Sequence, residues 1–257
     1  MPHNRLKRAL RDREVQIGLW SSLSSHIVAE IAAGAGFDWI LIDTEHAPNE
    51  LTDVHRQLQA MQGSATSAVV RPAWNDPVLF KRLLDSGVQS LLVPFVQNAD
   101  EARRAVAATR YPPGGIRGIA TTIRANRYGR VKEYLGRAQE EICVIVQIET
   151  RSALASLEAI AAVDGIDALF IGPNDLAADM GHLGDSAHPD VRAAIDDAIR
   201  RIQKAGKAPG ILAPVEADAR RWIEMGCIFV AVGSDAGIVA RQTEALAARF
   251  KCAPVAR

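Results

Sequence analysis

Two hydrophobic patterns alternate along almost the whole chain. Short apolar or β-branched runs recur at VQIGLW (15–20), WILID (39–43), SAVVRP (67–72), SLLVPFV (90–96), ICVIVQIE (142–149), DALFIG (167–172), APGILA (208–213) and IFVAVG (228–233). Longer segments with helical spacing separate them, among them HIVAEIAAGAG, LTDVHRQLQAMQG, DPVLFKRLLDSG and HPDVRAAIDDAIRRIQKAGK. The short runs carry little polar alternation, as strands covered on both faces do. Several helical segments close on a glycine just before the next run (Gly36, Gly63, Gly87, Gly226), where a left-handed residue ends a helix.

Eight such units in 257 residues predict an α/β protein of the (β/α)8 barrel type. A doubly wound open sheet shows the same alternation but wants a glycine-rich turn after its first strand. The segment GLWSSLSSH offers none. No linker or shift in composition divides the chain, so residues 1–257 are expected to be one barrel domain. Three additions stand out: a helix at NRLKRALRD that would close the bottom of the barrel, a long segment from Tyr111 to Gln139, and an alanine-rich last helix, AGIVARQTEALAARF.

In these barrels the chemistry sits at the C-terminal ends of the strands. Those ends hold Asp43, Glu45 and His46; Arg71; Gln97; Gln147 and Glu149; Gly172, Pro173, Asn174 and Asp175; Leu212; and Ser234 with Asp235. Alternation along a strand puts Gln147 and Glu149 on the face of Cys143 and Ile145, and puts Asp43 on the face of Glu45. His46 turns toward the same site only if the strand stops near Thr44, a stop that Pro48 favours. Glu149 and Asp175 suit a divalent cation with oxygen ligands, Mg²⁺ or Mn²⁺, with Co²⁺ or Zn²⁺ also compatible. An ion pair with a nearby arginine is the competing reading of the two carboxylates. Arg71 reads equally as a salt-bridge partner of Asp43 or Glu45, and His46 as a rim histidine bonded to a carbonyl.

Charge and composition narrow the function. Lysine plus arginine equals aspartate plus glutamate, 30 each, so no overall field points to nucleic acid or a membrane surface. The N-terminal stretch is charged and lacks the apolar core of a secretion signal, and three scattered cysteines (Cys143, Cys227, Cys252) read as inert thiols. A cytoplasmic location is the expectation. No lysine falls at a strand end, which leaves a Schiff-base mechanism without its amine, so carbonyl chemistry here would use a metal as electron sink. An isomerase using Glu149 and His46 as acid and base, or a non-catalytic metabolite sensor, fits the same rim without a metal reaction.

At this point the motifs carry a resemblance. AGAGFDWILIDTEHAPN, VVRPAWNDP, LLDSGVQSLLVPFVQNADEA, TRYPPGGIRGI, VQIETR, FIGPNDLAADMG and FVAVGSD resemble the metal-dependent pyruvate aldolases of the HpcH/HpaI group, in order over nearly the whole chain. The resemblance implies a homohexamer, a trimer of dimers, whose last helix is exchanged between subunits. It implies that Glu149 and Asp175 hold the metal beside Gln147, that Arg71 polarises the keto oxygen, that His46 is the acid–base group and that Asp43 orients the site through water. It further implies that Asp85 reaches His46 of a neighbouring subunit, that the backbone of Gly172-Pro173-Asn174-Asp175 holds the donor carboxylate, and that Leu212 faces the aldehyde. Ser234 lies on the same rim, and the basic segment containing Arg117, Arg124, Arg127 and Arg130 would suit a distal carboxylate. The substrates so implied are a 2-oxo acid and an aldehyde; a lyase acting on an acyl-coenzyme A thioester such as malyl-CoA is the alternative. The chain departs from the group's pattern at Thr44, often Gly, and at Asn174, often Ala.

Overall fold

A computed structural model describes residues 3–251. Eight parallel strands close in sequence order into a barrel: β1 (Gln16–Ser21), β2 (Trp39–Asp43), β3 (Ser67–Arg71), β4 (Ser90–Val93), β5 (Cys143–Ile148), β6 (Ala168–Ile171), β7 (Ala208–Leu212) and β8 (Phe229–Ser234). The helices are α1 (Arg5–Arg11), α2 (His26–Ala33), α3 (Leu51–Ala60), α4 (Pro77–Asp85), α5 (Ala99–Thr109), α6 (Tyr134–Arg137), α7 (Arg151–Ala155), α8 (Leu157–Ala161), α9 (Pro173–Asp179), α10 (Pro189–Lys204), α11 (Glu216–Glu224) and α12 (Asp235–Lys251). The closed sheet answers the choice between barrel and open sheet.

Strand parity divides the core into two apolar zones. Trp39 and Leu41 of β2 and Cys143 and Ile145 of β5 point into the barrel, with Phe170 and Phe229. Ile42, Val144, Val146 and Ile148 point outward beneath the helices. Asp43 and Gln147 therefore continue the inward rows, two residues beyond Leu41 and Ile145. The barrel interior is filled rather than hollow: Trp39 stacks on Phe229 at 4.0 Å between centroids, and Phe229 meets Phe170 edge-on at 5.8 Å. Leu6 and Leu10 of α1 belong to this inner cluster, so α1 does close the bottom.

The segment RSALASLEAIAAVDG has helical spacing but is broken into α7 and α8 because the Ser156 backbone leaves helical geometry, at φ −101° and ψ 7°. The long segment after α5 is mostly irregular, with α6 as its one α-helical turn. The glycines proposed to end helices do adopt left-handed backbone, with φ between 94° and 97° at Gly36, Gly63, Gly87 and Gly226. Cys143 and Cys227 are buried free thiols; Cys252 lies outside the described residues. No helix among the described residues is long and apolar enough to cross a membrane.

Aromatic filling of the barrel makes demands on its glycines. A Cβ at Gly18 would fall 2.1 Å from the Trp39 ring, an overlap that the stacked indole has little room to relieve. Gly18→Ala is expected to cost about 1–3 kcal/mol or more through overpacking, read as a lowered urea midpoint. An unchanged midpoint would show that the Trp39–Phe229 stack is not rigid.

Candidate active site

β2 ends at Asp43, and the next residue is tied to the neighbouring strand: the Thr44 amide and hydroxyl both donate to the Arg71 carbonyl, at 3.0 and 2.6 Å. The chain then turns sharply, and Asp43 Oδ1 accepts the amides of Glu45 and His46 at 3.0 and 3.3 Å. The early stop that His46 needs is thus built by Asp43 itself. Thr44 directs its hydroxyl into the β2–β3 seam, so its side chain does not narrow the site.

Asp43 and Arg71 are register neighbours on β2 and β3. Arg71 Nε and Nη2 donate to the two carboxylate oxygens of Asp43 at 2.9 and 2.6 Å, a bidentate pair, and both residues are buried. Trp20 Nε1–H donates to Asp43 at 3.2 Å, and the guanidinium lies over the Trp20 ring at 5.1 Å. Burial alone would raise the Asp43 pKa, but Arg71 bonding and charge outweigh it and the carboxyl is held below its usual range. The remaining terminal nitrogen of Arg71 pairs with Glu45 at 2.9 Å. Both partners that the sequence offered for Arg71 are therefore engaged, which fixes the guanidinium plane while leaving N–H groups on Nη1 and Nη2 beyond those bonds. Asp43 acts on this arginine directly. His46 stands largely exposed at the mouth, its Nε2 3.8 Å from Glu45 Oε2.

Across the rim, Gln147 and Glu149 are both buried. The Phe95 amide donates to Glu149 Oε1 at 2.7 Å, aimed there by a left-handed backbone at Phe95 (φ 56°). Gln147 Nε2 donates to Glu149 Oε2, while Gln147 Oε1 has no hydrogen-bond partner. Burial pushes the Glu149 carboxyl up to about 7, the negative charges of Asp175 and Glu45 push the same way, and the Phe95 amide and Arg71 oppose them only in part. Burial likewise raises Glu45. Asp175 and Asn174 are exposed on the first turn of α9, which Gly172 caps. A Cβ at Gly172 would lie 2.8 Å from Glu149 Oε2, so only glycine leaves that carboxylate in place. Leu212 is partly buried at the end of β7, packed against the inner cluster. Ser234 Oγ accepts the Gly237 amide at 3.0 Å and so serves the start of α12.

Two predicted site residues are not brought to this rim within one chain. Asp85 ends α4 and pairs with the buried Arg117 at 2.8 Å. Arg124 donates to the Ser86 and Leu58 carbonyls at 2.9 and 3.4 Å, capping the C-terminal ends of α4 and α3. Helices that follow parallel strands run back, so these ends lie at the opposite face from the strand C-termini. Sequence reasoning missed Trp20, the Phe95 amide and a buried relay behind Asp43. In that relay Asn49 donates to the Asp43 carbonyl at 2.7 Å, Gln57 donates to Asn49 at 2.7 Å, and Ser21 bridges Gln57 to Asp235. The WSS stretch at the end of β1 was the available signal for Trp20; the Phe95 backbone left none in the pattern.

The model of the HpcH/HpaI aldolase/citrate lyase family matches residues 16–241. The chain belongs to this family. It is 58% identical over 248 residues to the 4-hydroxy-2-oxo-heptane-1,7-dioate aldolase of Salmonella dublin, covering 96% of this chain and 94% of that one. The Klebsiella pneumoniae aldolase of the same name is likewise 58% identical, over 249 residues. Among solved structures, an HpcH/HpaI family protein from Burkholderia cenocepacia J2315 superposes with a TM-score of 0.93 at 42% identity, covering 96% of this chain and 98% of its own. An HpcH/HpaI aldolase from Desulfitobacterium hafniense DCB-2 gives 0.89 at 28%, covering 97% of this chain and 98% of its own. The protein is an aldolase, a carbon–carbon lyase, on a (β/α)8 barrel.

A carboxyl raised by burial carries a stability consequence. Glu149 has its folded pKa near 7 against an ordinary 4.5. It therefore favours folding while neutral, and that contribution is lost as pH rises through the window between those values. With chelator present, Glu149→Gln is expected to be more stable than the parent at pH 8, by on the order of 3 kcal/mol. The gap should shrink toward pH 5. If the Gln147 amide turns over, its Oε1, which has no partner in the parent, meets the new amide while the substituted side chain's oxygen still accepts the Phe95 amide. Paired melts at the two pH values check this; a less stable variant at pH 8 contradicts it.

Proposed function

We propose that the chain cleaves 4-hydroxy-2-oxo acids reversibly to pyruvate, or a related 2-oxo acid, and an aldehyde, with a divalent cation as cofactor. The observation that carries the reading is the pairing across one rim of a cation fixed by carboxylates, Arg71, with an oxygen-only donor set around Glu149. Two features of that set fit a metal. Glu149 is buried with two further carboxylates bearing on it, and the buried Gln147 Oε1 lacks a partner. Glu149 and Asp175 would hold the ion with Gln147 beside them, and hard oxygen ligands favour Mg²⁺ or Mn²⁺, with Co²⁺ or Zn²⁺ as further candidates. When bound, the ion supplies Lewis-acid stabilisation of negative charge on the 2-keto oxygen.

The chain's own residues do the rest. Arg71 presents its unengaged N–H groups to the keto oxygen, and because Asp43, Glu45 and Trp20 hold it in place, little reorganisation is needed as charge develops there. His46 takes the proton of the 4-hydroxyl as the C3–C4 bond breaks, and returns a proton to C3 of the released 2-oxo acid. Its exposed ring at the mouth, next to Glu45, suits a group that exchanges protons with solvent. The first turn of α9, from Gly172 through Pro173 and Asn174 to Asp175, receives the donor carboxylate on the Asn174 and Asp175 N–H groups, since the Gly172 amide donates to the Ile148 carbonyl and Pro173 has none. Leu212 and Ser234 border the aldehyde side. For a thioester lyase the basic segment would have to bind a nucleotide, yet Arg117 is buried against Asp85 and stacked on Tyr111 at 4.5 Å.

The assembly belongs to the same proposal. Of the 17 residues of α12 only Asp235 is buried, and Ile238, Val239, Leu246 and Phe250 are exposed along it. Ile27 and Ile31 of α2 are exposed as well. An exchange of α12 between two copies buries such surfaces, and three such dimers make the hexamer. In that assembly Asp85 and Arg124 act on a neighbour's site, Asp85 toward His46 and Arg124 toward the distal end of the aldehyde. A small-molecule enzyme in the cytoplasm, with no nucleic-acid or membrane partner, is the setting we assign.

Two experiments test these readings. Pyruvate incubated with the protein in D₂O and Mg²⁺ or Mn²⁺ should lose its methyl proton signal, and chelator, Glu149→Gln or His46→Ala should each suppress the exchange by at least about 100-fold. Exchange that survives a chelator would overturn the metal reading, and exchange untouched in His46→Ala would remove the histidine from its role. Separately, the pair Leu246→Asp and Phe250→Asp should lower the mass in solution to that of smaller species. An unchanged mass would show that α12 does not hold subunits together.

A further inference from the structure

A second cluster of metal-binding side chains lies outside the rim. The loop that leaves α9 carries His182, and His188 caps the N-terminus of α10, with Asp190 in its first turn. The loop is ordered by its backbone: the His182 amide donates to Ala177 at 2.7 Å, Asp185 to His182 at 2.9 Å and His188 to Asp185 at 3.2 Å. The two imidazoles lie face to face, 3.6 Å between centroids and 14° from parallel. His182 Nε2 and His188 Nδ1 each stand 3.8 Å from the same oxygen of Asp190, too far for hydrogen bonds. All three side chains are at least partly open to solvent.

We propose that His182, His188 and Asp190 form a separate site for a borderline transition-metal ion of the Zn²⁺, Ni²⁺ or Cu²⁺ class. Helix capping accounts for His188, whose Nδ1 accepts the Asp190 amide at 3.2 Å. It does not account for the His182 side chain, which takes no part in that cap and still places a ring nitrogen beside the same carboxylate. The capping bond also fixes Nδ1 of His188 as the unprotonated nitrogen, the form that ligates. Donors about 2.1 Å from one ion lie about 3.4 Å apart across a tetrahedron; the two N···O separations are 3.8 Å, and all three ligand atoms lie within 4.8 Å of one another. A turn of the partly exposed His182 ring out of the stack makes the lone pairs converge, and the ion takes the place of the Asp190 N–H. The exposed side leaves room for water as a fourth ligand. Two imidazoles and one carboxylate select against Mg²⁺, whereas the all-oxygen set at Glu149 accepts it. The chain thus sorts two classes of metal into two places, and the second ties the loop leaving α9 to the first turn of α10.

The test uses full-length protein without an affinity tag, carrying Glu149→Gln and Asp175→Asn so that the rim carboxylates are removed, and titrates Ni²⁺ in excess Mg²⁺ by calorimetry. One Ni²⁺ per chain is expected, with the thermal midpoint rising as it binds. Adding His182→Ala, or His188→Asn, which keeps a capping acceptor, should each weaken binding by more than about tenfold. Binding unchanged in both variants, or no binding in the parent of the series, would overturn the site. Ni²⁺ that binds the wild type but not the Glu149→Gln, Asp175→Asn protein would place the ion at the rim alone, which overturns this inference and leaves the reading of the active site intact. In the otherwise wild-type chain, His182→Ala should leave pyruvate exchange in Mg²⁺ unchanged.

Discussion

The bidentate bond between Arg71 and Asp43 is the constraint on which the site depends. Both partners are buried, so each charge is tolerable only because the other is there; removing one would strand its partner at a cost of about 3–5 kcal/mol. The pair sits on adjacent strands at matching register, so it also joins β2 to β3 at the rim. The remaining lone pairs of Asp43 build the turn that presents Glu45 and His46. One carboxylate thereby orients the cation, ends the strand and starts the loop. Loss of Asp43 would be felt as lost order at the mouth as much as lost charge.

Opposite that pair stands a region of the contrary electrostatic character. Glu149, Glu45 and Asp175 bear on one another, and burial makes ionisation of Glu149 costly. The protein holds this strained half in place with close packing: Gly172 has no side chain to displace Glu149, and Phe95 accepts an unusual backbone so that its amide faces the carboxylate. A site that is self-satisfied on one side and under-neutralised on the other has a built-in direction. In the proposed reaction a chelating 2-oxo acid would lie between Arg71 and Glu149.

The barrel was legible in the sequence because its signal is repeated eight times, and the rim because polar residues interrupt dry strands at one end only. Parity put Gln147 on one face with Glu149 and Asp43 on one face with Glu45 without any structure; that those faces point into the barrel came from the closed sheet. What could not be read were contacts that depend on closure. Trp20 meets Asp43 only across the β1–β2 seam, and the Asn49–Gln57–Ser21–Asp235 relay joins residues far apart in sequence. The Phe95 amide is a backbone group, invisible to a reading of side-chain types. Asp85 was placed in the site by resemblance and Arg124 by the charge of its segment, and within one chain both serve helix ends at the far face.

The glycine at the foot of Glu149 has a consequence for how this enzyme can change. On what the proposed reaction makes the donor side, Gly172 and Gln147 pack on Glu149 and Arg71 is bound to Asp43, so a substitution there disturbs several contacts at once. Leu212, on the acceptor side in that reading, is only partly buried. In the proposed reaction, substitutions that change the aldehyde would therefore fall on one half of the pocket, and those that change the 2-oxo acid would have to disturb the other.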